Sequence, residues 1–253
     1  MWLIYFTIGG NSEYAQLLEE CIKSIHENCK DNSLFDIFVM CDTNYVKNID
    51  HLGTKIHITS TNLDGVQSSM RKIEIFDIPN IQTYEAVLYL DCDIMVCGDI
   101  TDILSKIVAK GVLYTLIDSF AETIQNPHED IFFGLEDYDE SELAYLKNNI
   151  PVFNCGQFAF IPNVTMQKHF SSVRQLVVTH KGSFFYEQSF MNRHFNLNCC
   201  QDHEVFGQLG LLYPSIYVPG KVVVHFANAY KDSQKKLFEM QSYYQIFKNN
   251  ISI

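Results

Sequence analysis

Short apolar runs that end on glycine or acidic residues constrain this chain most. Leu3 to Ile8 reads as a buried strand closed by Gly9-Gly10. Asn11-Ser12 then offers a helix N-cap, and Tyr14, Leu17, Leu18, Cys21, Ile22 and Ile25 follow at helical spacing. Phe35 to Cys41 and Lys55 to Thr59 read as two more strands. Ser68 to Phe76 reads as a helix stopped before Pro79. Ala86 to Leu90 is a fourth strand and runs straight into Asp91, and Val112 to Ile117 is a fifth that ends at Asp118. Strands alternating with helices predict βαβ units, hence an α/β fold with a mostly parallel central sheet flanked by helices.

The second half is less regular. Gln125 to Asn149 is acidic and polar and reads as a loop with one short helix near Ser141 to Leu146. Phe158 to Ile161 reads as a strand after an Asn154-Cys155-Gly156 turn. Val164 to His180 and Glu187 to Phe195 have helical patterns, and Val222 to Val224 is a strand ending at His225. Leu237, Met240, Tyr244 and Phe247 form one apolar helical stripe, which predicts a helix packed on the core. The neighbouring Lys235, Lys236 and Lys248 make no strong basic face for a membrane surface. No repeat and no Gly/Ser/Pro linker interrupts the 253 residues, so one domain is expected across 1–253. A chain this long buries about three quarters of its unfolded surface and needs no staples.

The charge balance narrows the partners. Eighteen basic residues stand against 30 acidic ones, a net charge of -12. Phosphate backbones attract basic surfaces, so nucleic acid and anionic membranes are not expected partners. An anionic substrate would need local positive charge at its site. The N-terminal apolar run spans only eight residues without a basic flank, and no stretch approaches eighteen apolar residues, so neither a leader nor a membrane span is expected. The eight cysteines form no CxxC pair and lie in apolar segments, which predicts reduced thiols and a cytoplasmic protein.

Ligands of open α/β sheets bind beyond the carboxyl ends of strands. Asp91 and Asp93, Asp118, Asn154 and His225 lie at such ends. Two carboxylates flanked by Ala86 to Leu90 and Ile94 to Val96 are costly to bury unpaired, and a divalent cation removes that cost. With His225 as a third ligand the set suits Mn²⁺ better than Mg²⁺, which favours an all-oxygen shell. No P-loop, GxGxxG, GxSxG or HExxH motif is present.

Tyr89-Leu90-Asp91-Cys92-Asp93-Ile94-Met95-Val96, followed by Gly98-Asp99-Ile100, resembles the DxD segment of glycosyltransferase family 8, which includes glycogenin and bacterial lipopolysaccharide galactosyltransferases. Four further segments match in order: Phe6-Thr7-Ile8 with Asn11 and Tyr14, Phe153-Asn154-Cys155-Gly156, Glu187-Gln188 with Asn192, and His225-Phe226 with Lys231. The resemblance spans nearly the whole chain. It implies a GT-A fold, with residues 1–100 as the nucleotide-binding half ending in DxD and 101–253 as the sugar and acceptor half. It implies a retaining hexosyl transfer from a nucleotide-sugar donor, usually UDP-linked, to a glycan or other hydroxyl acceptor. Asp91, Asp93 and His225 would hold the metal. Thr7, Ile8, Asn11 and Tyr14 would line the base and ribose. Cys92 and one of Arg71 and Lys72 would adjoin the donor, and Lys231 would contact its diphosphate. Asp118, Asn154, Glu187 and Gln188 would surround the transferred sugar.

The chain departs from the family pattern in three places. Glu187 stands where the family has Asp, Asn228 replaces a glycine, and Asp232-Ser233 replaces Pro-Trp. The altered tail leaves room for a GT-A module that binds nucleotide or glycan without turnover. A sugar nucleotidyltransferase would need a basic Gly-rich N-terminal loop, and after Gly9-Gly10 the first basic residue is Lys23.

Overall fold

A computed structural model describes residues 1–9, 12–59, 70–120, 139–146, 151–179, 187–227 and 232–251. The strands among the described residues are β1 (Trp2–Ile8), β2 (Phe35–Asp42), β3 (Lys55–Thr59), β4 (Val87–Leu90), β5 (Ile94–Val96), β6 (Val112–Phe120), β7 (Pro151–Phe160), β8 (Cys200–Asp202), β9 (Gly210–Leu212) and β10 (Val223–His225). The α-helices are α1 (Glu13–Asn28), α2 (Val46–Ile49), α3 (Thr101–Leu104), α4 (Glu140–Leu146), α5 (Val164–Thr179), α6 (Glu187–Asn198), α7 (Glu204–Leu209) and α8 (Ser233–Ile251).

Seven strands form one sheet in the order β3-β2-β1-β4-β7-β6-β8. All neighbours run parallel except around β7, which is antiparallel to β4 and to β6. Both halves of the chain therefore contribute to one sheet. A second sheet, β5-β10-β9, adjoins it, and Asp91-Cys92-Asp93 is the link from β4 in the first to β5 in the second. The sheet separates two cores. In β1, Ile4, Phe6 and Ile8 face the core shared with α1 and α8, while Leu3 and Tyr5 face the core shared with α5 and α6. The apolar pattern read for α1 is its buried face: Leu17, Leu18, Cys21, Ile22 and Ile25.

Three segments differ from the sequence expectation. Within the helix read at Ser68 to Phe76, Met70 is α-helical and Arg71–Asp77 is a 3₁₀ segment, with Ser68 and Ser69 outside the described residues. The Arg71 carbonyl accepts a hydrogen bond from Tyr5 Oη at 3.0 Å, and the segment ends at Asp77, two residues before Pro79. Asn154-Cys155-Gly156 is not a chain reversal but part of the continuous strand β7. Asn154 Oδ1 accepts from Gly156 N at 2.8 Å, a local bond of the kind turn-forming asparagines make, used here inside an irregular ladder. The strand read as ending before Asp118 continues to Phe120, and Asp118 is the residue skipped where the β6–β7 register shifts.

The eight cysteines are free thiols and six are buried, as small apolar side chains would be. No helix among the described residues is long and apolar enough to cross a membrane.

Asn192 fixes α6 to β7. Its side-chain amide accepts from Phe153 N at 2.9 Å and donates to Phe153 O at 3.0 Å, as a neighbouring strand would, and it also donates to Gln188 O at 3.0 Å. Asn192→Ala leaves these buried groups unsatisfied and should destabilise the protein by about 2–4 kcal/mol. Urea unfolding followed by circular dichroism would show the midpoint fall with an unchanged slope.

Candidate active site

Strand register, not sequence proximity, assembles the site. β10 is antiparallel to β5 with His225 opposite Ile94, so His225 arrives beside Asp93. Phe226 N donates to Asp93 O at 2.9 Å and locks that placement. On the other side, β7 brings Gly156 opposite Asp91, whose N–H donates to Gly156 O at 2.7 Å. A Cβ at position 156 would overlap His225 Cε1 and lie 2.7 Å from Asp91 Oδ2. The glycine is required by this close approach, and its φ is not in the left-handed region.

Asp91, Asp93 and His225 offer ligand atoms that all lie within 4.8 Å of one another. His225 Nε2 is 3.0 Å from Asp93 Oδ1 and 3.8 Å from Asp91 Oδ2, while its buried Nδ1 has no partner among the described residues. This donor set fits one divalent cation, with the glycine leaving room for the ring and the carboxylate. Asp93 is buried, and its other oxygen accepts from Lys236 Nζ at 2.6 Å. Burial alone would raise the Asp93 carboxyl, but His225 and Lys236 outweigh it and hold it well below the usual carboxylate range.

Lys72 joins the metal-ligand cluster to the predicted sugar side. Its ammonium is 3.3 Å from Asp91 Oδ1 and 2.6 Å from Glu187 Oε1, and it donates to Cys155 O at 3.4 Å. Burial would lower this lysine, but Asp91 and Glu187 outweigh burial and hold it well above the usual range. Of the two basic candidates, therefore, Lys72 enters the cluster. Arg71 instead pairs with Glu74, which Arg174 also approaches at 3.5 Å.

Tyr89 ties the first strand to the cluster. Its ring stacks on Phe158 at 4.9 Å between centroids, its hydroxyl donates to Asp91 Oδ1 at 2.6 Å, and that hydroxyl lies 3.1 Å from Thr7 Oγ1. Cys92 is buried and its thiol donates to Thr7 O at 3.4 Å. Ile8 is a core residue, so its side chain does not line an open site. Tyr14 is partly exposed and within electrostatic reach of Lys236, Asp93 and Asp91; burial pushes its hydroxyl up. Gln188 Oε1 accepts from Cys155 N at 3.1 Å, and with the Asn154 bond to Gly156 it braces the backbone behind Asp91. Asp118 accepts from Tyr213 Oη at 3.1 Å, and Tyr213 N–H donates to His225 O at 3.0 Å. Tyr213 holds φ at +49°, a strained value for a non-glycine residue, between these two bonds. Asn11 and Lys231 lie outside the described residues.

Sequence reading passed over Gly156 as a site residue, Tyr213 and Lys236. The signal for Lys236 was present. It lies four residues before Met240 on the buried stripe of α8, and Ser233, Lys236, Met240, Tyr243 and Phe247 are the buried residues of that helix.

A family model described as glycosyl transferase family 8 matches residues 6–246. The chain belongs to glycosyl transferase family 8. Among solved structures, this family 8 chain is similar to galactosyltransferase LgtC in complex with donor and acceptor sugar analogs (TM-score 0.60, 15% identity, 96% of this chain and 95% of that one). It is also similar to the bifunctional glycosyltransferase WbbM (TM-score 0.58, 14% identity, 97% of this chain and 51% of that one). These likenesses establish the GT-A fold. Galactinol synthase 7 of Arabidopsis thaliana is 28% identical over 163 residues, 58% of this family 8 chain and 46% of the plant protein. The chain thus spans about half of WbbM and less than half of the plant relative.

Two substitutions test this geometry. Lys72→Met strands the buried Glu187 carboxylate and takes an ion-pair partner from the half-buried Asp91, and should destabilise the protein by about 3–5 kcal/mol. Part of that loss should return in the Lys72→Met/Glu187→Gln double variant, read by thermal and urea unfolding. Gly156→Ala should displace the His225 ring and weaken binding of a divalent-cation probe such as Mn²⁺ at this candidate site about 10–100-fold, judged against ligand-support effects at metal sites. Manganese paramagnetic resonance measures the binding, and far-UV circular dichroism should stay unchanged.

Proposed function

We propose that this chain acts as a single GT-A domain that transfers a hexosyl group from a UDP-sugar to a hydroxyl of a glycan or related acceptor, with Mn²⁺ and with retention of anomeric configuration. The convergence of Asp91, Asp93 and His225 carries the reading, and family 8 membership supports glycosyl transfer as the chemistry. A bound Mn²⁺ would supply Lewis-acid stabilisation of the diphosphate leaving group. Asp91, Asp93 and His225 hold it. Thr7, Cys92 and Tyr14 frame the nucleotide side, with Asn11 and Lys231 assigned there by family resemblance. Lys72 pairs with both Asp91 and Glu187 and offsets one of their two charges, which lets Glu187 tolerate burial.

Retention here favours a front-face route, in which the acceptor hydroxyl is held beside the departing oxygen and the protein supplies no covalent nucleophile. Glu187 supports this reading because it is buried and its Oε1 is ion-paired with Lys72. A carboxylate engaged in that way is suited to positioning Lys72 and the sugar, with Gln188, Asn154 and Asp118 around it. An open cavity of about 440 Å³, lined in part by Tyr213, Tyr217, Phe226, Phe238 and Tyr243, adjoins His225 through Tyr213 and Phe226 and gives the acceptor a place to lie. The free cysteines are consistent with a reducing, cytoplasmic setting.

Incubation with a panel of UDP-, GDP- and dTDP-sugars, with Mn²⁺ or with chelator, tests the proposal. Turnover or slow hydrolysis of a UDP-sugar should require Mn²⁺ and fall at least about 100-fold in Asp93→Asn and His225→Ala, in line with loss of transition-state charge stabilisation. Metal-independent turnover, or none with any donor, would remove it. A covalent sugar trapped on Glu187 would replace the front-face route with a double displacement.

A further inference from the structure

Lys236 is in an unusual position for a lysine. It lies in the first turn of α8, where the helix dipole disfavours a cation. It is nevertheless buried, and Asp93 Oδ2 at 2.6 Å is its one ion-pair partner among the described residues. Helix stability does not explain that placement; the carboxylate does. Yet the same carboxylate belongs to the set that would hold the metal. A divalent ion and a buried ammonium on one aspartate repel each other strongly, because little water screens them.

The charge of the whole cluster sharpens the point. Leaving His225 aside, Asp91, Asp93 and Glu187 face Lys72 and Lys236, which leaves one net negative charge. A divalent cation alone would turn this into one net positive charge in a buried space. A cation that arrives with a diphosphate, carrying about two negative charges, restores the original balance.

We infer that Lys236 is an internal cation that opposes binding of the metal alone and makes metal and nucleoside diphosphate bind together, with its ammonium passing from Asp93 towards the diphosphate as both enter. This rests on the metal-dependent donor site proposed above. It assigns Lys236 to the donor diphosphate in addition to the family-matched Lys231, and it makes metal affinity depend on the nucleotide through linkage.

Calorimetry and manganese paramagnetic resonance test it, with Mn²⁺ alone and with Mn²⁺ plus UDP as probes. In the unaltered protein UDP should tighten Mn²⁺ binding by at least about tenfold, a typical coupling between linked sites. Lys236→Met should tighten binding of Mn²⁺ alone by about tenfold and shrink the UDP enhancement by a similar factor. Lys236→Arg, which keeps the charge, should behave like the unaltered chain. If the methionine variant does not fold, Lys236→Gln reads the same quantity. Absence of UDP enhancement in the unaltered protein overturns the inference without any variant. So does a Lys236→Met protein that binds Mn²⁺ alone equally or more weakly, since Lys236 would then merely orient Asp93. Asp93→Asn separates the two levels of the argument. If it binds Mn²⁺ as tightly as the unaltered chain, the metal site itself is wrong. If it loses binding while Lys236→Met gains none, the metal site stands and the role of Lys236 falls.

Discussion

Three carboxylates and two lysines crowd one space, and all but the partly exposed Asp91 are buried. Buried charge of this density is stable only when each group is held against an opposite one, and the surrounding architecture meets that requirement. Lys72 bridges Asp91 and Glu187, and Lys236 and His225 close on Asp93. The partners come from the Arg71–Asp77 turn, the β4–β5 link, the start of α6, the end of β10 and the first turn of α8. Five separate pieces of chain converge, so the cluster exists only where sheet and helices are already docked. An ion that binds there meets groups that are already paired with one another.

Sheet geometry enforces the convergence. The antiparallel insertion of β7 next to β4 places Gly156 against Asp91, and the antiparallel pairing of β10 with β5 places His225 against Asp93. A slip of one residue in either ladder would turn these side chains to the opposite face. Side-chain amides guard against such slips. Asn192 reads both backbone groups of Phe153, and Gln188 takes the N–H of Cys155. These two residues, which sequence reasoning assigned to a sugar-contacting motif, thus also act as backbone clamps. Tyr89, between Phe158 and the Asp91 carboxylate, joins the aromatic core to the charged cluster.

Much of this was legible in the sequence, for identifiable reasons. Strands such as Leu3 to Ile8 and Ala86 to Leu90 are short, continuous apolar runs, and the helices at 13–28 and 233–251 carry an apolar stripe at helical spacing. Asp91, Asp93 and His225 stood out because charged or imidazole groups ending apolar strands are costly unless used. The misread segments have local explanations. Asn-x-Gly is a turn signature, and in β7 the same side-chain to backbone bond forms within a strand. Before Pro79, Arg71–Asp77 is 3₁₀, directly after the α-helical Met70. Choosing between Arg71 and Lys72 was beyond sequence reasoning, since adjacent residues point in different directions and only docking decides which faces inward.

The sequence by itself determined the elements, the family and the types of group available for chemistry, because periodicity, strand-end acids and ordered motifs are properties of neighbours along the chain. Only the tertiary structure decided which groups meet. It selected Lys72 over Arg71, made Gly156 the space behind His225 and Asp91, and turned Lys236 from an apparent surface lysine into the buried partner of Asp93. The physical reason is that desolvation and charge pairing are set by atoms within a few ångströms in space. Those atoms come from residues as far apart as Lys72 and Glu187, or Asp93 and Lys236.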